Sequence, residues 1–99
     1  MKIRLARRAL AEAKAVKTWW RENRPGAAPD LFQDELDAAL ERIAQSPNIG
    51  TPYEQVSASL PVRRVLLPKS KNHVYYAVDD ETIVVLAIWG APRERGPKL

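Results

Sequence analysis

The sequence predicts an α+β domain, and three observations carry that expectation. Between Leu60 and Trp89 short apolar runs alternate with tight polar turns, the mark of strands. Between Ala9 and Ile43 the apolar residues recur at helical spacing instead, interrupted once by Pro25, Gly26 and Pro29. The 99 residues suffice for one modest core and not for two. The expected order is β-α-α-β-β-β: an N-terminal strand, an α-helical hairpin and a three-stranded antiparallel meander, with the helices packed on one sheet face. A single domain over residues 1–99 is expected, ending in a flexible basic tail at 91–99.

Lys2 to Leu5 alternates polar with apolar residues, as a short strand with one buried face does, and is expected to join the sheet of the meander. Ala9, Ala13, Val16 and Trp20 then mark the buried stripe of a helix from Arg7 to Asn23, whose interior holds no Gly or Pro. Its exposed side carries Arg7, Arg8, Lys14, Lys17, Arg21 and Arg24. A second helix is expected from Pro29 to Ala44, with Asp30 at its N-terminus, where a carboxylate is favoured, and Phe32, Leu36, Ala39 or Leu40, and Ile43 as its stripe. So short a connection makes the two helices antiparallel. The first is basic and the second acidic, so their flanks attract, but exposed ion pairs contribute only about 0–1 kcal/mol each. Burial of the stripes, at about 1.5–3 kcal/mol per large side chain, dominates.

Ser46 to Tyr53 contains Pro47, Gly50 and Pro52 and reads as an extended turn, and Gln55 to Leu60 as a mobile loop. The meander strands are Arg63 to Leu67, closed by Pro68, then His73 to Val78 after the turn Lys69 to Asn72, and Thr82 to Trp89 after the turn Asp79 to Glu81. Ile83 to Ile88 has no polar position, which places the last strand at the centre of the sheet. Alternation sets His73, Tyr75 and Ala77 on one face, the open one, and Val74, Tyr76 and Val78 on the other.

The chain has no cysteine and one histidine, so neither a disulfide framework nor a zinc centre is expected, and no cofactor. No apolar run approaches the roughly 20 residues that span a bilayer. The alternating N-terminus lacks the continuous apolar segment of a signal peptide, which points to the cytoplasm and away from the membrane. The net charge of +4 conceals a segregation: eight basic and two acidic residues up to Pro25, then one basic and six acidic up to Pro61. Basic surface of this kind favours acidic partners, nucleic acid or protein.

Several side chains stand out as candidates. Arg63 and Arg64 are adjacent and point to opposite faces, so one is free to anchor a carboxylate or phosphate while the other packs. Trp20 continues the first helix's stripe, whereas Trp19 lies about 100° away and is half exposed. The tail holds Arg93, Arg95 and Lys98 among Gly96 and Pro97, and reads either as a frayed terminus or as a contact arm.

The leading strand, the helical hairpin, the Pro-x-x-Gly-x-Pro-Tyr linker at Pro47 to Tyr53, the pair Arg63 and Arg64 at a strand start, and Tyr76-x-x-Asp-Asp at the last hairpin together resemble the RelE/ParE toxin superfamily of bacterial type II toxin–antitoxin systems, in its ParE-like branch. The resemblance covers nearly the whole chain. It implies a toxin neutralised by a cognate antitoxin with a DNA-binding N-terminal domain, operator DNA being reached only through that antitoxin. RelE-like members cleave messenger RNA on the ribosome, whereas ParE-like members inhibit DNA gyrase without nuclease chemistry. In RelE-like enzymes an arginine on the middle meander strand and a His or Tyr just after the last strand serve catalysis. Here His73 stands at the arginine's position, and Gly90, Ala91 and Pro92 follow the last strand. The resemblance therefore favours gyrase inhibition with no catalytic residues, with Arg93, Arg95, Lys98 and Trp89 as target contacts and Trp19, Tyr53, Arg63, Arg64 and Tyr75 as antitoxin contacts. The alternatives are a ribosome-dependent ribonuclease using His73, Arg63 and Arg64, and a non-toxic antitoxin-binding module.

Overall fold

The structure is a computed structural model that describes residues 1–26, 29–54, 59–91 and 96–99. Strand β1 (Lys2–Leu5) leads into helix α1 (Arg7–Asn23), then α2 (Leu31–Gln45), β2 (Thr51–Tyr53), β3 (Val62–Leu67), β4 (Asn72–Asp79) and β5 (Thr82–Gly90). The fold is α+β as expected, but the sheet is larger than a three-stranded antiparallel meander. It has five strands in the order β1-β5-β4-β3-β2, and it is mixed, because β1 runs parallel to β5.

The meander is the antiparallel middle of that sheet: β3 pairs with β4, and β4 with β5. What it lacked was β2, cut from the stretch expected to be only a turn. Thr51–Tyr53 pairs antiparallel with β3, Pro52 standing opposite Arg63. A proline is tolerated there because β2 is an edge strand that needs ladder bonds on one side only. On the way from β4 to β5 the chain turns at Asp80, whose φ of 55° is a left-handed value that Asp adopts more readily than most residues.

One irregularity in the ladder decides which side chains face where. Tyr75 stands opposite Ala87 but Tyr76 opposite Val85, so Leu86 is an extra residue in β5, a β-bulge. Before it, Ile83 and Val85 face the helices; after it, Ile88 does. Leu86, Ala87 and Trp89 all meet on the other face.

The helix-covered face holds the main core. Phe32, Leu36, Ala39 and Ile43 of α2 and Ala9 and Ala13 of α1 close on Leu67, Val74, Tyr76, Ile83, Val85 and Ile88, with Trp20 at its margin. Two alanines on the stripe of α1 let its backbone approach β5 closely. Past the end of β1, α1 itself covers the free edge of β5: the Glu12 carboxylate accepts the Ile88 N–H at 3.1 Å. Glu35 of α2 does the same for the turn between β3 and β4, accepting Lys69 N–H at 2.7 Å and Ser70 N–H at 2.9 Å. Attraction between the basic flank of α1 and the acidic flank of α2 does not form contact pairs. The ion pair among the described residues is Arg8 with Glu12, both on α1. Among the described residues no helix is long and apolar enough to cross a membrane.

Candidate binding face

The second face of the sheet carries most of the residues singled out from the sequence. Tyr75 is its centre, 1% exposed, in a small apolar cluster with Val62 and Ala87 to which Tyr53, Leu86, Trp89 and Leu99 are added. Tyr53 meets the Tyr75 ring edge-on at 4.8 Å between centroids, and His73 meets it edge-on at 5.9 Å. Arg64, directly across the ladder from Tyr75, lies over the Tyr53 ring at 5.6 Å and points Nη1 at the Tyr75 hydroxyl, 3.4 Å away. His73 sits between Leu66 and Trp89 in the register. Burial, and then the Arg64 guanidinium, lower its pKa below the usual 6.5. At neutral pH the face therefore offers a neutral imidazole beside a fixed cation and two phenols.

The tail closes over this face. Tyr53 Oη donates to the Pro97 carbonyl at 3.2 Å, Pro97 is buried, and Leu99 packs into the Tyr75 cluster. Arg8, at the start of α1, donates to the Lys98 carbonyl and also lies over the Trp89 ring at 5.6 Å. The last four residues are thus docked rather than frayed, because the sheet face beneath them is apolar and would otherwise be wet. Lys98 keeps its ammonium exposed. Arg93 and Arg95 lie outside the described residues.

Arg63 belongs elsewhere. Its guanidinium donates to the Gly50 carbonyl at 2.7 Å and to the Asn48 carbonyl at 3.3 Å, holding the linker into β2. Tyr76 holds the same linker from inside the core, donating to the Pro47 carbonyl at 2.6 Å and accepting the Gly50 N–H at 3.0 Å. The linker passes so close that a Cβ on Gly50 would stand 2.7 Å from the Tyr76 hydroxyl oxygen, which explains the glycine. Arg63 is therefore engaged in holding that linker, with its side chain still partly exposed. Trp19 is also apart from the face; half exposed, it stacks edge-on against Trp20 at 5.5 Å.

Sequence reasoning missed Arg8 and Glu12, whose partners lie 90 and 76 residues away, and nothing local marks them. It also placed Tyr75 on an accessible surface, where the structure buries it. Chemically, Arg64 and His73 can bind an anion. For proton transfer the arrangement is thin: among the described residues His73 makes ring contact with Tyr75 and no hydrogen bond, so no carboxylate orients the imidazole. No group of three or more His, Cys, Asp or Glu among the described residues is placed to hold a metal ion.

The fold and its sequence have known relatives. Residues 3–94 match the family model described as ParE toxin of type II toxin–antitoxin system, parDE. Among solved structures, the chain is similar to one described as the chromosomal ParDE TA system from P. aeruginosa, with a TM-score of 0.60 and 19% identity over 91% of this chain and 95% of that one. It is also similar to the YoeB dimer from Staphylococcus aureus, with a TM-score of 0.57 and 17% identity over 90% and 94% of the two chains. At those identities the structures share its fold and carry no more. No curated protein matches in sequence. Because the family model spans nearly all of the sequence, the chain belongs to the ParE toxin family of type II toxin–antitoxin systems.

Proposed function

We propose that this chain is a toxin that acts in the bacterial cytoplasm by binding and inhibiting DNA gyrase, and that a cognate antitoxin neutralises it and alone carries the contact to operator DNA. The observation that weighs most is the state of the candidate catalytic groups. Cleavage by 2′-hydroxyl attack needs a base, a cation for the developing charge and an acid within reach of one phosphodiester. Here Arg63 is engaged by linker carbonyls, and Tyr75 is buried. The His73 imidazole makes a ring contact with Tyr75 and no hydrogen bond among the described residues. Gly90, the last residue of β5, and Ala91 after it supply no acid. A surface that binds needs none of this chemistry. Target contacts are assigned to Arg93, Arg95, Lys98 and Trp89, and antitoxin contacts to Trp19, Tyr53, Arg63 and Arg64, with Tyr75 reached only where the tail has left it.

The test is the purified chain in two assays run side by side. Gyrase supercoiling is expected to fall with added protein, and to recover when Arg93 and Arg95 are both replaced by Ala, while ribosome-bound messages stay intact. Cut messages with unaffected gyrase would overturn the reading. One feature favours that second reading, a ribonuclease: the neutral imidazole of His73 beside Arg64. It requires His73→Ala, and the joint replacement of Arg63 and Arg64 by Ala, each to abolish cleavage. A chain harmless in both assays and in cells would be a non-toxic antitoxin-binding module.

A further inference from the structure

The contacts of Gly96–Leu99 have the form of peptide recognition. Two backbone carbonyls in succession, those of Pro97 and Lys98, are each met by a side-chain donor from a distant element, Tyr53 and Arg8. One side chain, Pro97, is buried between them, and the next apolar one, Leu99, enters the Tyr75 cluster. Gly96 passes the Tyr53 ring so closely that a Cβ would stand 2.1 Å from its hydroxyl oxygen and 2.8 Å from Cζ. Tyr53 cannot easily swing aside, because Tyr75 abuts its ring edge-on and Arg64 covers it. Four residues in a row are therefore read by the surface beneath them.

Leu99 does not fill the space beside it. It lines a largely apolar cavity of about 260 Å³ together with Leu60, Val62, Ala77, Leu86, Ser59 and Arg8. An apolar cavity of about 150 Å³ is enough to hold benzene, so an aromatic side chain fits where leucine leaves space.

We propose that the open face of the sheet is a groove for an extended peptide, occupied in the free chain by its own Gly96–Leu99 strap, and that a partner enters only by displacing the strap. The partner segment is extended, offers two successive carbonyls to Tyr53 and Arg8, and places an aromatic side chain where Leu99 now lies. The inference rests on the contacts of this chain and holds whichever target the toxin has. Displacement frees Tyr53 and Arg8 and uncovers the Val62, Tyr75 and Ala87 cluster, so strap and partner compete for one surface. The strap lowers the apparent affinity of any competitor by the fraction of time that it is seated.

The experiment uses the full-length chain and acetyl-Gly-Pro-Lys-Phe-amide as the probe. Gly96→Ala drives a methyl group into Tyr53 and unseats the strap, so the side-chain NMR signals of Pro97 and Leu99, held against the Tyr53 and Tyr75 rings, are expected to move to unstructured-peptide positions, while the amides of β4 and β5 stay protected. The probe is expected to bind this variant about tenfold more tightly than the unaltered chain. Leu99→Phe extends into the cavity beside it and is expected to weaken probe binding several-fold by holding the strap in place. Equal probe affinity for the unaltered chain and Gly96→Ala overturns the proposal. So does a Leu99→Phe chain that binds the probe as tightly as the unaltered chain or more tightly, a result that stands even if Gly96→Ala fails to fold.

Discussion

The two faces of the sheet are built on different principles. Behind the helices, Phe32, Leu36 and Ile43 meet Ile83, Val85 and Ile88 in a core that needs only apolar shape. On the other face Val62, Tyr75 and Ala87 form a much smaller cluster, surrounded by a cation, an imidazole and phenols and roofed by four residues of tail. The first face stores the stability. The second is covered by a few residues of the chain's own tail rather than by a second layer of helices, which is what the proposed exchange of strap for partner requires. Stability and accessibility therefore separate by face, and substitutions can be used to try that separation.

The largest effect is expected on the helix side. Ile83→Ala removes a fully buried branched side chain from the main core and should cost about 2–5 kcal/mol in denaturant unfolding. Leu86→Ala, on the opposite face of the same strand and only half buried, should cost less than half as much. Equal costs would mean that the second face is a core in its own right and that the strap is part of the fold.

A finer comparison is available in two adjacent tyrosines. Tyr76 and Tyr75 point to opposite faces, and each hydroxyl has a different task. Tyr76→Phe strands the buried Pro47 carbonyl and Gly50 N–H and should cost about 1–3 kcal/mol, with faster exchange at Gly50 as the linker into β2 loosens. Tyr75→Phe gives up only a 3.4 Å approach by Arg64, near the outer limit of a hydrogen bond, and should cost under about 0.5 kcal/mol. The ordering of the two, read from paired unfolding curves, is the result that matters; its reversal would place the structural hydroxyl on the wrong face.

What could be read in advance follows the range of the interactions. The stripes of α1 and α2 and the meander strands are set by local periodicity, and the opposite orientations of Arg63 and Arg64 by strand geometry alone. Which of the two arginines holds structure was hidden, because the answer lies in the carbonyls of Asn48 and Gly50. Strand β2 was hidden by its length of three residues and by Pro52, which argues against a strand everywhere except at an edge. The bulge at Leu86 was hidden because a run that is apolar throughout, Ile83 to Ile88, gives no alternation to break. The docked tail was hidden for the plainest reason: its partners Tyr53 and Arg8 lie 44 and 90 residues away. The candidate site draws on all of these, and so it was less legible than the fold that carries it.

The smallest effect tests the open face through its only titrating imidazole. His73 is the single histidine of the chain, so its ring protons can be followed by NMR without ambiguity. Its pKa in the folded chain lies below the 6.5 of an unperturbed histidine, through burial first and Arg64 second. The unfolded chain therefore takes up this proton more readily than the folded one, and unfolding is favoured as protons become available. The contribution to stability is complete above pH 6.5 and is lost as pH falls from there through the folded pKa. Melting temperature should thus fall between pH 7.5 and 5.5 by slightly more in the unaltered chain than in His73→Gln. Arg64→Met should move the midpoint of the imidazole titration upward but only part of the way to 6.5, because burial is the larger cause and remains. A complete return would mean that the guanidinium alone sets it. A midpoint at or above 6.5 in the unaltered chain would mean that His73 is open to solvent and that burial does not set its titration.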